Sequence, residues 1–79
     1  MKDLGEWTWE VNTKDMTCRN VENAVTIKMQ GEGKNLKAVL HDMPIELFAE
    51  ISGYVDGEKI IENMVMMARK EFLSSKSRG

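Results

Sequence analysis

A cysteine and a histidine are the residues of this sequence best suited to chemistry, because a thiolate attacks electrophiles and an imidazole can take up the thiol proton. The chain has one of each, Cys18 and His41. The sequence offers no third group to orient the imidazole and no glycine-bounded turn that would expose a nucleophile. We interpret Cys18 as an unreactive, half-buried thiol and His41 as a polar residue at a strand end. We therefore expect no catalytic residues and no enzyme activity.

Residues with ligand chemistry are too sparse to predict a metal or cofactor site. A metal ion needs three or four Cys, His or carboxylate ligands at recognisable spacing. Glu58 and Glu62 lie four residues apart but lack a histidine partner. The glycine-rich segment Gly31–Gly33 precedes a strand-like segment, so a phosphate bound there would miss the N-terminus of a helix. We interpret the segment as a hairpin turn and expect no metal and no cofactor.

Two tryptophans share one face of the first strand-like segment. Trp7 and Trp9 would serve as a stacking platform for bases if basic residues were interleaved with them, but Thr8 and Glu10 occupy those positions. The chain holds 11 basic and 13 acidic residues, spread evenly over its two halves, for a net charge of −2. We therefore predict that both rings belong to the core and that nucleic acid is disfavoured as a partner.

The length and the apolar runs limit the domain organisation and the location. Seventy-nine residues correspond to one domain. We expect it to cover residues 1–74, with a disordered tail at 75–79 that lacks apolar residues. The N-terminus shows no signal peptide, the longest apolar run, Met64–Ala68, is too short to span a membrane, and a single cysteine suits a reducing compartment. We expect a cytoplasmic protein with no membrane contact.

Four segments alternate between apolar and polar residues, which is typical of strands with one buried face. They cover residues 6–11, 16–19, 24–30 and 36–41. Turn-forming residues separate them, most clearly at Gly31–Asn35, where the glycines permit positive φ. Since short turns join consecutive antiparallel strands into a meander, we expect an antiparallel meander of three to four strands.

A short helix is predicted after the strands, at Ile45–Ser52. Asp42 or Met43 would cap it, and the proline that follows suits a first helical turn. Gly53 would end it. Its apolar stripe consists of Leu47, Phe48 and Ile51.

A long helix is predicted at Asp56–Ser74, with Asp56 as its N-cap. Its apolar residues recur at three- and four-residue steps and form one band: Ile60, Ile61, Met64, Val65, Ala68 and Phe72. The fold class that follows is α+β, an antiparallel meander of three to four strands followed by two helices packed on one face.

The long helix also carries apolar residues away from this band. Met66 and Leu73 lie seven residues apart, with Glu62 and Arg69 on the same side. Methionines adapt to varied surfaces, and three of the chain's seven lie in this helix. The four residues predict a candidate interaction patch, such as a dimer interface, while a slightly apolar helix surface without a partner remains the alternative. We predict a non-catalytic protein-interaction or accessory module that binds another protein or a second copy of itself.

A second interpretation rests on the segment from Val39 to Leu73. A strand, the residues Met43–Leu47, a glycine break and a helix follow one another there. This order resembles the ribbon-helix-helix family of DNA-binding regulators. The resemblance implies a dimer in which the strand pairs with its copy and enters the major groove, with Lys37, Val39 and His41 facing the bases. The first helix is shorter here than in the family, and three strand-like segments precede the ribbon.

Overall fold

The computed structural model describes residues 7–78 of the chain, with side chains through residue 76. These residues form, in order, β1 (Trp9–Asn12), β2 (Thr17–Asn20), β3 (Val25–Gln30), a 3-10 turn (Gly33–Asn35), β4 (Lys37–Asp42), α1 (Ile45–Ser52) and α2 (Gly57–Arg78). Each strand is antiparallel to the next, in the order β1-β2-β3-β4. The predicted α+β fold, a meander followed by two helices, is confirmed. Residues 1–6, which belong to the expected domain at 1–74, lie outside the described residues.

Asparagine side chains close the first two turns of the meander. The Oδ1 of Asn12 accepts a hydrogen bond from the backbone N–H of Asp15 at 3.0 Å. The Oδ1 of Asn20 accepts one from the N–H of Asn23 at 2.9 Å. Such bonds to the chain's own backbone hold a tight turn, and in the second turn Ala24 follows with φ of 54°. The alternation pattern and this local turn chemistry together explain the hairpins.

One face of the sheet is apolar, and most of the core residues that the strands contribute lie on it. Val11 faces Cys18 on the neighbouring strand, and Cys18 in turn faces Ile27. Trp7 is buried, Trp9 is half-buried, and their rings meet edge to face with centroids 6.0 Å apart. The expected core position of both tryptophans is therefore observed.

Helix α2 covers this face and contacts all four strands. Met64, Ala68 and Phe72 recur every four residues and are fully buried. Burying a large apolar side chain contributes about 1.5–3 kcal/mol, so this stripe holds the helix on the sheet. The remaining band residues, Ile60, Ile61 and Val65, are half-buried and pack against the core.

Helix α1 packs against α2 and makes its inter-element contacts there, whereas the sequence pattern favoured both helices lying on the sheet. Ile51 is buried in that contact, but Phe48, expected on the same stripe, is exposed. Pro44 occupies the N-cap position in place of Asp42 or Met43. Because α2 alone spans the sheet, the part of α1 that would have covered the strands faces outward.

Helix α2 runs to Arg78, four residues beyond the end expected at Ser74. The expected end rested on the loss of apolar residues after Leu73. Serine and lysine are compatible with a helix, however, so a polar segment can continue one that packing has already begun. Gly79, the last residue of the expected tail at 75–79, lies outside the described residues.

Candidate functional site

Exposed apolar residues lie along α1 and in the loop that joins it to α2. Ile45 is 85% exposed, Phe48 55%, Tyr54 43%, and Val55 is fully exposed. We call these four residues the junction surface. Isolated apolar residues are common on protein surfaces, whereas a group of large ones is a candidate site of interaction. This group contains both apolar residues of the loop and both large exposed apolar residues of α1.

The backbone between the helices places the loop side chains outward. The N–H of Gly53 bonds to the carbonyl of Glu50 at 3.1 Å, and that of Tyr54 to the carbonyl of Ile51 at 3.0 Å. The N–H of Gly57 then bonds to the carbonyl of Tyr54 at 3.3 Å. These hydrogen bonds give the last backbone carbonyls of α1 their donors within the loop itself.

Glycine is required where the second helix begins. A Cβ at Gly57 would collide with the backbone carbonyl of Ile51 and press on the Ile51 side chain. The close approach brings the first turn of α2 against the end of α1. Between them lies an open cleft of about 620 Å³, with Phe48, Tyr54 and Val55 of the junction surface and the side chain of Ile61 in its wall.

The junction surface lies in the most acidic part of the chain. Residues 42–58 contain five carboxylates and neither lysine nor arginine: Asp42, Glu46, Glu50, Asp56 and Glu58. All five are exposed. Desolvation, followed by the charge and hydrogen bond of Glu50, raises the pKa of the Tyr54 phenol. Asp56 and Glu58 line the cleft together with Lys59, and Glu50 is a neighbour of Tyr54.

The four residues of the patch predicted on α2 have different environments. Met66 is 66% exposed and Glu62 is exposed, whereas Leu73 is half-buried and packs against the core. Arg69 is half-buried, and its Nε donates a hydrogen bond to the backbone carbonyl of Leu36. Two members of the patch are therefore available at the surface, while the other two contribute to packing.

Cys18 and His41 are not brought together. Cys18 is buried on β2 and His41 is exposed on β4. Since β3 lies between these strands, their backbones are about 10 Å apart. Burial, reinforced by the negative charge of Glu71, raises the pKa of the Cys18 thiol from 9.0 to about 11. This thiol is therefore protonated at neutral pH and lacks the character of an activated nucleophile.

The described residues contain no group of three or more His, Cys, Asp or Glu side chains placed to hold a metal ion. Gly31 and Gly33 both have positive φ and lie in the connection between β3 and β4, as the hairpin interpretation requires. Within residues 7–78, no helix combines the length and the apolar character needed to cross a membrane. No protein-family model, curated protein or solved structure matches this chain.

Sequence reasoning missed the junction surface because it assigned Phe48 to a covered stripe. Tyr54 and Val55 fall between the two predicted helices, where the sequence pattern assigns them no role. One signal was present: a run of seventeen residues, 42–58, with five acidic and no basic side chains, that also contains large apolar residues. Charged groups at an interface face groups of the opposite sign, so this segment would suit a partner of complementary charge.

Proposed function

We propose that this chain is a small non-catalytic protein-interaction module that binds its partner through the junction surface. The observation that supports this most directly is the exposure of Ile45, Phe48, Tyr54 and Val55, the last three of which line one cleft. Covering these side chains would remove apolar area from water, which is the main driving force of association. The buried, unpaired Cys18 thiol is compatible with the reducing cytoplasm, where we place the protein.

Site-specific photo-crosslinking in the native host tests this proposal. A photoreactive phenylalanine analogue replaces Val55, and in a control it replaces Val21, a less exposed valine in the turn between β2 and β3. We expect discrete protein adducts from position 55 that are missing from position 21. Adding Phe48→Ser to the position-55 protein should remove them. The same adducts from both positions, or none from position 55, would contradict the proposal.

A second copy of the chain is a candidate partner through a different surface, the patch predicted on α2. Met66 and Glu62 remain exposed there. Sedimentation equilibrium of the parent and of Met66→Lys at one protein concentration separates the possibilities. A dimer mass for the parent and a monomer mass for the variant would place the dimer interface on α2. Monomer masses for both would remove the homodimer.

The ribbon-helix-helix interpretation remains an alternative proposal. Among residues 7–78, no strand pairs with the outer edge of β4, so this edge is available to a second copy as the family requires. The other edge of β4 already pairs with β3. The side chains of Lys37 and Val39 on this strand are exposed. A salt titration of binding to mixed duplex DNA tests this alternative, and absence of binding at low salt would exclude it.

A further inference from the structure

We infer that the junction surface binds a basic amphipathic segment, a helix with apolar side chains on one face and lysine or arginine beside them. This inference rests on the proposed function and specifies the chemical class of the partner. It combines two independent observations, the exposed apolar group and the distribution of charge. A partner that was only basic would leave the apolar side chains in water, and one that was only apolar would leave the carboxylates without an opposite charge.

Charge complementarity identifies the basic character. Residues 42–58 carry five acidic and no basic side chains, whereas the other sixty-two residues carry eleven basic and eight acidic ones. The acidic excess of the whole chain therefore falls in this segment, and in the wall of the cleft Asp56 and Glu58 outnumber the single basic residue, Lys59. Exposed ion pairs contribute little each, but a cluster of one sign steers an oppositely charged partner and selects against others.

The cleft favours a partner with apolar side chains, and a helix is one element that can present them at a suitable spacing. An amphipathic helix docks by placing side chains at three- and four-residue spacing into an apolar groove. The cleft of about 620 Å³ between α1 and α2 has room for such side chains, and Phe48, Tyr54 and Val55 supply apolar contact. The carboxylates of Glu46 and Glu58, on the two helices, are exposed and remain available to lysine or arginine.

The same charges argue against two other classes of partner. Nucleic acids and anionic membranes present phosphates, and the acidic excess of residues 42–58, two of whose carboxylates line the cleft, would repel them. An acidic amphipathic helix would match the apolar part but meet the same repulsion. A basic amphipathic helix is therefore the class of partner that matches both the apolar residues and the carboxylates.

Synthetic peptides test the inference by fluorescence anisotropy. The probe is a labelled helical peptide of about fourteen leucine and lysine residues with one apolar face. The first control has glutamate at every lysine, and the second has the same leucines and lysines in an order without an apolar face. We expect the probe to bind at least about tenfold more tightly than either control, and to weaken severalfold when salt is raised from about 0.05 to 0.5 M.

Two matched pairs of variants locate the binding. Glu46→Lys and Glu32→Lys make the same charge change at exposed positions, one in α1 and one in the β3–β4 connection. We expect about a three- to tenfold loss of affinity for the first and less than about twofold for the second. Val55→Ser should weaken binding severalfold, and Val21→Ser should leave it unchanged.

The outcomes separate this inference from the proposed function. If Val55→Ser weakens binding but the glutamate peptide binds as well as the lysine peptide, the interaction surface stands and the basic class is wrong. Equal effects of Glu46→Lys and Glu32→Lys would also overturn the basic class. If no peptide binds while position 55 still gives protein adducts, the basic amphipathic partner is excluded and the proposed function survives. If neither is observed, both are wrong.

Discussion

The Nε of Arg69 donates a hydrogen bond of 3.0 Å to the backbone carbonyl of Leu36, joining residues that are 33 positions apart in the chain. Leu36 is buried and immediately precedes β4. The bond therefore ties the middle of α2 to the start of the edge strand, where half of the strand's backbone groups have no neighbouring strand. It also gives a structural role to a residue whose sequence position favoured an interaction patch.

Replacing Arg69 by methionine should destabilise the protein by about 1–2 kcal/mol, because the Leu36 carbonyl loses its charged donor while the apolar part of the side chain is kept. Urea unfolding followed by tryptophan fluorescence measures this change. Lys70→Met, at the exposed neighbouring position, is the control and should change the free energy of unfolding by less than about 0.5 kcal/mol. Equal effects of the two substitutions would show that the bond contributes nothing.

The two asparagine turns differ in burial and should differ in their contribution to stability. Asn20 is fully buried, and its Oδ1 accepts hydrogen bonds from both the backbone N–H and the Nδ2 of Asn23. Asn20→Ala should cost about 1–3 kcal/mol, since it removes a buried acceptor that the turn depends on. Asn12→Ala removes the corresponding bond in an exposed turn and should cost less than about 1 kcal/mol. Thermal unfolding of both variants checks the order, and a larger effect at Asn12 would contradict it.

Two glycines near the helix junction should respond differently to alanine. A Cβ at Gly57 meets the backbone of Ile51, whereas a Cβ at Gly53 finds the carbonyl oxygen of Glu50 at 3.4 Å, an ordinary contact. Gly57→Ala should therefore cost about 1–3 kcal/mol by overpacking, and Gly53→Ala should cost clearly less. Chemical denaturation gives both values. If Gly57→Ala were neutral, α1 and α2 would not approach as closely as the structure shows.

The Cys18 thiol should make stability depend on pH above 9. Burial and the charge of Glu71 raise its pKa in the folded protein to about 11, from 9.0. The folded protein therefore keeps a proton that the unfolded chain releases between about pH 9 and 11, so this contribution is fully present below pH 9 and is lost as the pH rises. It amounts to roughly 2–3 kcal/mol at most.

The measurement compares the parent protein with Cys18→Ala by urea unfolding at pH 8 and at pH 10.5. The free energy of unfolding of the parent should fall more steeply with pH than that of the variant, since other titrating groups are common to both. Iodoacetamide should also modify the folded parent at pH 7.5 far more slowly than the unfolded chain. Rapid alkylation of the folded protein would instead indicate an activated thiol and revive the catalytic hypothesis for Cys18.

Local pattern was sufficient to predict most of the elements. Alternation over residues 24–30 predicted β3, and the four-residue recurrence of Met64, Ala68 and Phe72 predicted the buried stripe of α2. The period of a strand or helix determines which side chains share a face, and this is a property of neighbouring residues alone. The meander also followed from local information, because each turn joins adjacent strands.

The candidate site could not be predicted in the same way. Periodicity places Phe48 and Ile51 on one face of α1, but it carries no information about which distant element covers that face. Contact with α2 buries Ile51 and leaves Phe48 at the surface. In the same way, Arg69 resembles a solvated helix residue until the fold brings the Leu36 carbonyl to it.

The amino-acid sequence by itself thus determined the elements, their order and the apolar face of each, because those follow from dihedral preferences and the spacing of neighbouring side chains. Tertiary structure alone decided that α2 covers the sheet and that α1 rests on α2. The physical reason is that burial depends on contacts between residues far apart in the chain. The exposed junction surface, and with it the proposed function, is a consequence of that arrangement.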